Sequence, residues 1–210
     1  MSQNKNGMMF VLSSPSGVGK TTLTKKISKN NKNFIISISH TTREPRINEI
    51  DGEDYFFINK EKFNKLIEEN NFFEYAKIFD NFYGTSRRQV LDIIEQGKDV
   101  LFDIDWQGTQ QLKKIQGVSL VTFFIIPPNI VALKDRLINR HKGDEKMICK
   151  RMDKFSEELS HWNEYNYILI NDNLEICYKK ILELMLSEKK GIKKKQNLDI
   201  IQKKIKELTK

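Results

Sequence analysis

Short apolar runs alternate with amphipathic stretches along most of this chain. Five runs are apolar enough to form buried strands, and most are followed by a stretch whose apolar residues recur three or four positions apart. The five runs cover residues 8–12, 34–39, 100–105, 120–126 and 167–170. The helical stretches cover about 21–28, 87–96, 108–115, 129–139, 145–161 and 174–187. Strands that alternate with helices predict a parallel sheet, so we expect an α/β fold.

The segment after the second run departs from this alternation. It contains a short strand at 55–58, a helix at 60–69 that Asn59 can cap, and two short strands at 72–76 and 81–85 joined by a turn near Asp80. These short strands and the helix between them interrupt the alternation of the main strands and helices.

A phosphate-binding loop is predicted directly after the first strand. Gly17 and Gly19 let the backbone curl so that several N–H groups converge on one anion, and the dipole of the following helix adds to that field. Lys20 would reach the β- and γ-phosphates of a nucleotide, and the hydroxyl of Thr21 would hold Mg²⁺. The predicted loop residues are Ser14, Pro15, Ser16, Gly17, Val18, Gly19, Lys20, Thr21 and Thr22.

The loop departs from the pattern G-x-x-x-x-G-K-[ST] at one position, because Ser14 stands where the first glycine is expected. The competing interpretation is a turn rich in glycine and serine that carries a solvated lysine.

Two carboxylates follow the apolar strand at 100–105. Asp103 and Asp105 lie at its carboxyl end, where open α/β sheets bind their ligands. A carboxylate there can hold Mg²⁺ beside the phosphate loop. The alternative for either residue is a solvated loop acid.

The positive charge of the chain is concentrated at its carboxyl end. The net charge is +8, and residues 189–210 hold nine lysines against Asp199 and Glu207, so the rest of the chain is nearly balanced. The apolar residues of this tail recur at helical spacing, which predicts an amphipathic helix that packs on the body or on another subunit; they are Leu198, Ile201, Ile205 and Leu208. A homo-oligomer formed through the tail therefore stays open, while nucleic-acid binding is the lesser alternative.

The apolar runs are too short to span a bilayer, and no charged-then-apolar leader opens the chain. Cys149 and Cys177 are isolated from each other, so we expect reduced thiols rather than a disulfide or metal framework. A single domain in the cytoplasm, without membrane contact, is the simplest expectation.

The sequence resembles the guanylate kinases over about residues 8–188. The resemblance rests on the loop, on Ser39-His40-Thr41-Thr42-Arg43-Glu44-Pro45-Arg46, on Gly52-Glu53-Asp54-Tyr55-Phe56-Phe57 and on Asp103-Ile104-Asp105-Trp106-Gln107-Gly108. It implies a P-loop core with helices on both faces, at 8–36, 89–137 and 152–188. It also implies an inserted mixed α+β GMP-binding subdomain at about 37–88, a small lid at about 138–151, and a basic helical tail at 189–210.

The resemblance implies an acceptor site for GMP. Its phosphate would be held by two arginines and two tyrosines, and its guanine by hydroxyl and carboxylate groups, because guanine presents two adjacent N–H donors that a carboxylate accepts. The residues implied for GMP are Ser39, Arg43, Arg46, Tyr55, Glu74, Tyr83, Thr85 and Asp105. From the pattern alone, Glu74 could instead be a surface strand acid, the arginines a solvated turn, and the tyrosines ordinary strand aromatics.

The resemblance also implies the donor side and the reaction. Lid arginines Arg136, Arg140 and Arg151 would act with Lys20 in catalysis, while Asn171 and Asp172 would lie near adenine, with Thr21 and Asp103 near Mg²⁺. The implied reaction is in-line transfer of the γ-phosphoryl group of MgATP to GMP, giving ADP and GDP, and the resemblance leaves dGMP open as a second acceptor.

The alternative function is a non-catalytic binding module. Scaffold proteins contain guanylate-kinase-like domains that bind partners without catalysis, but those domains lack the loop lysine that is present here. The lid is unusual, since Arg140 is followed by His141-Lys142-Gly143 and its expected glycine is displaced.

Overall fold

The strands of the protein follow the apolar runs of its sequence. The structure is a computed structural model, and it describes residues 7–141 and 144–209. The strands are β1 (Met9–Ser13), β2 (Phe34–Ile36), β3 (His40–Thr41), β4 (Phe56–Phe57), β5 (Phe72–Ile78), β6 (Asn81–Ser86), β7 (Asp99–Asp103), β8 (Leu120–Ile126) and β9 (Tyr167–Ile170). The helices are α1 (Lys20–Asn30), α2 (Lys60–Glu68), α3 (Arg87–Glu95), α4 (Trp106–Lys113), α5 (Ile130–His141), α6 (Glu145–Ser160), α7 (Leu174–Lys189) and α8 (Leu198–Leu208), with a 3₁₀ turn at His161–Glu164.

Five parallel strands form the main sheet in the order β2-β7-β1-β8-β9. Alternate residues of β1 pack into different clusters: Phe10 and Leu12 join one that also contains α1 and α7, whereas Met9 and Val11 join one that contains α3 and α4. A strand covered on both faces reads as a continuous apolar run, which is why β1 shows no alternation in its sequence. The α/β fold with helices on both faces is confirmed.

A second sheet has the order β4-β3-β6-β5, with β3 and β4 parallel and the other pairs antiparallel. Asn59 caps α2 as expected, because its side chain accepts a hydrogen bond from the backbone N–H of Lys62 at 2.8 Å. This sheet lies within residues 37–88, where the resemblance implies the GMP-binding subdomain, whose role stays a prediction.

Several elements differ from their predicted bounds, and three of these differences lie beside the site. β2 ends at Ile36, although Ser37 N still donates to Leu101 O at 2.9 Å, and His40 turns into the second sheet. β7 ends at Asp103, because Asp105 caps α4 instead of extending the strand. α4 therefore begins at Trp106, before the predicted start, since a carboxylate at the N-cap satisfies its free N–H groups.

The tail helix α8 packs on the body of its own chain. Ile201 and Leu208 are buried and Ile205 partly buried against the larger core cluster. Gln196, just before the helix, donates to Ile168 O and accepts from Ile168 N, both at 2.8 Å, and so pairs with the edge strand β9. The tail thereby covers an exposed sheet edge, and the predicted homo-oligomer stays a prediction.

Candidate active site

The loop between β1 and α1 adopts a conformation that requires glycine at two places. Gly17 and Gly19 have φ angles of 87° and 99°, in the left-handed region that other residues avoid. A Cβ atom on Gly17 would lie 2.7 Å from Leu137 Cδ2, and one on Gly19 would lie 2.7 Å from Asn171 Nδ2. The curled loop therefore stands at the N-terminus of α1, where amide groups and the helix dipole favour an anion.

Lys20 points from the loop toward the end of β7. Its Nζ donates to Ile104 O at 2.8 Å and lies 2.9 Å from Asp103 Oδ1. Both side chains are about four-fifths buried, at 19% and 16% exposure. The predicted phosphate lysine and the predicted metal carboxylate thus meet at one point, as expected of groups at neighbouring strand ends.

Asn171 and Arg136 hold the loop in place from the other side. Asn171 Nδ2 donates to Val18 O at 2.7 Å, and Arg136 donates to Val18 O at 3.3 Å and to Asn171 O at 2.9 Å. Asn171 Oδ1 is buried and has no hydrogen-bond partner among residues 7–141 and 144–209. An unpaired buried acceptor is costly, so this oxygen is suited to a donor group of a ligand.

Helix α6 contacts the loop at Ser16 through two side chains. Glu158 Oε2 accepts a hydrogen bond from Ser16 N at 3.0 Å, and Arg151 donates to Ser16 Oγ. Burial, opposed by the Ser16 hydrogen bond, raises the pKa of Glu158. Arg151 was a predicted site residue, whereas Glu158 was not.

Arg43 and Arg46 share one carboxylate, that of Glu49. Arg43 Nη2 lies 2.9 Å from each oxygen of Glu49, and Arg46 donates to it from its backbone at 2.9 Å and from Nη1 at 3.4 Å. Burial opposes the charge of Arg43, but the bonds to Glu49 and Tyr83 outweigh it and raise its pKa. Both guanidinium groups are thus ordered around one carboxylate, an arrangement that suits an anion such as a phosphate.

Tyr55 and Tyr83 line the same site. Their rings meet edge to face with centroids 6.0 Å apart, and Arg43 Cζ lies 5.3 Å from the Tyr55 ring centroid. Burial, followed by the nearby carboxylate of Asp103, raises the pKa of Tyr55. The Tyr55 hydroxyl is therefore a neutral donor beside Arg43.

Glu74 is buried, with 3% of its surface exposed. Thr85 Oγ1 donates to Glu74 Oε1, and the other oxygen, Oε2, lies where a Cβ of Gly108 would be only 2.3 Å away. Burial raises the pKa of Glu74 to about 7, with the hydrogen bond from Thr85 opposing and the charge of Asp105 adding to the rise. Glu74 is thus no surface strand acid, and Gly108 is needed to leave room for it.

Asp105 lies beside Glu74 and caps α4. Its Oδ1 accepts from Gly108 N at 3.0 Å and its Oδ2 from Gln107 Nε2 at 3.2 Å. Ser39, which is also buried, contributes its carbonyl to the hydrogen bond with Phe56 N at 2.9 Å. The Asp105 contacts fix the start of α4, where Gly108 adjoins the Glu74 carboxylate.

Like charges of three arginines, Arg46, Arg140 and Arg151, repel one another beside the two sites. The pKa of Arg151 is lowered to about 10 by burial and then by the like charges of Arg140 and Arg46. The pKa of Arg140 is also lowered, by desolvation and then by Arg46, although its side chain remains exposed to solvent. Anionic phosphates placed here would relieve this repulsion.

The remaining predicted residues are less constrained. Ser14 Oγ donates to Pro15 O at 2.8 Å, while Thr21 and Thr22 are exposed at the start of α1. In the described parts of the chain, no group of three His, Cys, Asp or Glu side chains could hold a metal ion. Within the lid, Lys142 and Gly143 lie outside the described residues, so the displaced glycine stays a prediction.

Comparison with known proteins gives one consistent result. The family model described as Guanylate kinase matches residues 6–188. The chain belongs to the guanylate kinase family. It is 46% identical over 190 residues to guanylate kinase of Rickettsia bellii, covering 90% of this chain and 98% of that protein. It is 43% identical over 185 residues to that of Maricaulis maris, covering 88% and 85%.

The fold agrees with a solved structure of the family. The crystal structure of guanylate kinase from Anaplasma phagocytophilum superposes with a TM-score of 0.71 at 30% identity, covering 89% of this chain and 88% of that one. The recognised resemblance and the P-loop α/β fold are therefore confirmed.

Four functional neighbours were not found by sequence reasoning: Glu49, Phe79, Gly108 and Glu158. Glu49 could have been suspected from an acid three residues after Arg46 in a basic turn. Gly108 could have been questioned because glycine disfavours a helix interior. Glu158 offers no local signal, since its partner lies 142 residues away.

Proposed function

We propose that the protein transfers the γ-phosphoryl group of MgATP to GMP, giving ADP and GDP. The observation that carries this proposal is the pairing of an anion-binding loop at Lys20 with a second anion site at Arg43 and Arg46, within a chain of the guanylate kinase family. One site receives the donor phosphates and the other the phosphate of the acceptor.

On the donor side, the loop amides and Lys20 neutralise the β- and γ-phosphates of ATP. The carboxylate of Asp103 keeps Lys20 extended toward the cleft until phosphate arrives. Asn171 Oδ1 accepts a hydrogen bond from the adenine amine, because it is buried and otherwise unpaired in the part of the chain that the structure describes. Arg136 donates to the carbonyl groups of both Asn171 and Val18, and so holds the adenine-binding residue at a fixed position relative to the phosphate loop.

The donor set at Thr21 and Asp103 suits Mg²⁺ that arrives with ATP. One hydroxyl and one carboxylate cannot cage a metal alone, but Mg²⁺ commonly keeps several waters and takes its other ligands from substrate phosphates. The ion would supply charge neutralisation at the β- and γ-oxygens.

On the acceptor side, Arg43, Arg46, Tyr55 and Tyr83 bind the phosphate of GMP. Glu74 accepts the guanine N1–H and amino hydrogens, and Thr85 orients its carboxylate. Adenine lacks these adjacent donors and would leave the buried carboxylate unpaired, which can give discrimination of up to ~10⁴-fold. Ser39 and Asp105 complete the base-binding wall.

Catalysis rests on positioning and charge. Arg140 and Arg151 bring two cations to the space between the sites, where negative charge develops during in-line transfer. The division into a core, a GMP-binding part at 37–88 and a lid at 138–151 would let the two sites close on each other.

We place the protein in the cytoplasm, because both substrates occur there. The described residues contain no helix long and apolar enough to cross a membrane.

The test is a coupled assay of ADP release with MgATP and each of GMP, dGMP, AMP and UMP. Turnover is expected with GMP and far less with AMP or UMP. Lys20→Ala should lower kcat at least ~10²-fold, as for loss of a preorganised charge, while Lys29→Ala at the exposed end of α1 should not. Wild-type protein that binds GMP without turnover would refute the enzyme and favour a non-catalytic binding module.

A further inference from the structure

The turn between β5 and β6 contains an aromatic residue in an unfavourable conformation. Ile78 pairs with Asn81, so Phe79 and Asp80 form a two-residue hairpin turn. Phe79 has a φ of 55°. A first turn residue with positive φ is usually glycine, and a bulky residue there is an outlier. The requirements of the turn therefore do not explain a phenylalanine at this position.

The ring of Phe79 faces two cations of helix α6. Arg151 Cζ lies 5.4 Å and Lys154 Nζ lies 4.7 Å from the ring centroid. Residues three apart share one face of a helix, and cations over an aromatic face are attracted by its quadrupole. Phe79 thus connects the acceptor-side sheet to the helix that follows the lid.

Arg151 lies between this ring and the phosphate loop. Its guanidinium donates to Ser16 Oγ, while Glu158, two turns later on the same helix, accepts from Ser16 N at 3.0 Å. Arg140 and Arg46 repel Arg151, and the attraction that Glu158 exerts on it is smaller than either repulsion. A side chain in this position needs a contact that holds it against that repulsion.

An aromatic face can hold the guanidinium without consuming its charge. A carboxylate would hold Arg151 more strongly, but it would also neutralise it and compete with the phosphates for its N–H groups. A ring attracts the cation from one side and leaves the N–H edge free. Phenylalanine therefore suits an arginine whose purpose is to meet phosphate.

We propose that Phe79 is a positioning residue that holds Arg151 between the phosphate loop and the acceptor site. This inference rests on the proposed function, because Arg151 is assigned there to the transferred phosphoryl group. The proposed function assigns Phe79 no substrate to bind, so its loss should act on the transfer step and leave substrate binding largely intact.

Three substitutions separate the ring from the strained backbone. Phe79→Gly removes the ring and relieves the positive φ, so the melting temperature should stay or rise while kcat falls about fivefold. Phe79→Leu keeps an apolar side chain but no π face and should lower kcat similarly. Phe79→Tyr should retain kcat within about twofold. KM for ATP and GMP should change little in all three.

Asn70→Gly is the matched control, because Asn70 is the other described non-glycine residue with positive φ, at 53°, in a turn without contact to Arg151. It should leave kcat unchanged. If Phe79→Gly lowers kcat only together with the melting temperature, or if it leaves kcat unchanged, the proposal is wrong.

A double-mutant cycle tests whether Phe79 acts through Arg151. Arg151→Met should cost about 10²- to 10³-fold in kcat, which leaves a measurable rate. In that background Phe79→Leu should have no further effect. An undiminished fivefold loss would overturn the inference while leaving the proposed function standing; absence of GMP turnover in the wild-type protein would instead defeat the proposed function.

Discussion

The buried carboxylate of Glu74 predicts that GMP binding is linked to a proton. Glu74 is 3% exposed, and burial, with Asp105 nearby, raises its pKa from 4.5 to about 7. Guanine donates two N–H groups to the ionised form only. GMP must therefore bind the protein with Glu74 deprotonated, and near neutral pH it should release a proton.

The magnitude follows from the fraction of Glu74 that is ionised. With a pKa of about 7, roughly half is ionised at pH 7 and about a tenth at pH 6. Kd for GMP should therefore rise about fivefold from pH 7 to 6 and about tenfold more to pH 5. Binding at pH 7 should release about half a proton per site.

The same shift affects the stability of the free protein. Because the folded-state pKa lies above the unfolded value, the folded protein binds more protons between pH 4.5 and 7. The contribution of Glu74 to the free energy of unfolding is therefore greatest below pH 4.5. It falls as the pH rises through 7, by roughly 3 kcal/mol in total.

Calorimetry of GMP binding in two buffers of different ionisation enthalpy measures the released proton. The phosphate of GMP also titrates near pH 6, so the control is Glu74→Gln, in which only the phosphate contribution remains. The wild-type protein should release about half a proton more than the variant when GMP binds at pH 7. The variant should also lose its preference for GMP over AMP. Equal pH dependence in both proteins would refute this account of Glu74.

Two further predictions concern packing. Gly108→Ala would place a methyl group 2.3 Å from Glu74 Oε2, so the carboxylate must move; KM for GMP should rise with KM for ATP unchanged, and stability should fall by about 1–3 kcal/mol. An unchanged KM for GMP would contradict this. In the tail helix, Ile201→Ala should cost about 2–3 kcal/mol in denaturant unfolding, because Ile201 is 7% exposed. Ile200→Ala, at 61% exposure, should change stability by less than ~0.5 kcal/mol; equal effects would mean that the tail is not docked.

The elements of the fold were predictable because they depend on local patterns. The apolar run before Ser13 and the glycines at 17 and 19 predict a strand, a loop and a helix in that order, and Asn59 predicts a helix start. A strand that is buried on both faces has consecutive apolar residues, and a turn that needs positive φ usually has glycine. Both can be recognised in the local sequence. The family motif added the candidate residues, whose roles stay predictions.

The contacts that give the site its chemistry depend on the tertiary structure. Sequence alone left Glu74 open as a surface acid, and nothing local indicated that Glu158 would accept from Ser16 or that Phe79 would face Arg151. These partners meet only after the strands take the order β2-β7-β1-β8-β9 and α6 docks beside the loop. The sequence alone therefore determined the elements and the kind of chemistry, whereas burial, pKa and pairing were decided by long-range packing that no local pattern encodes.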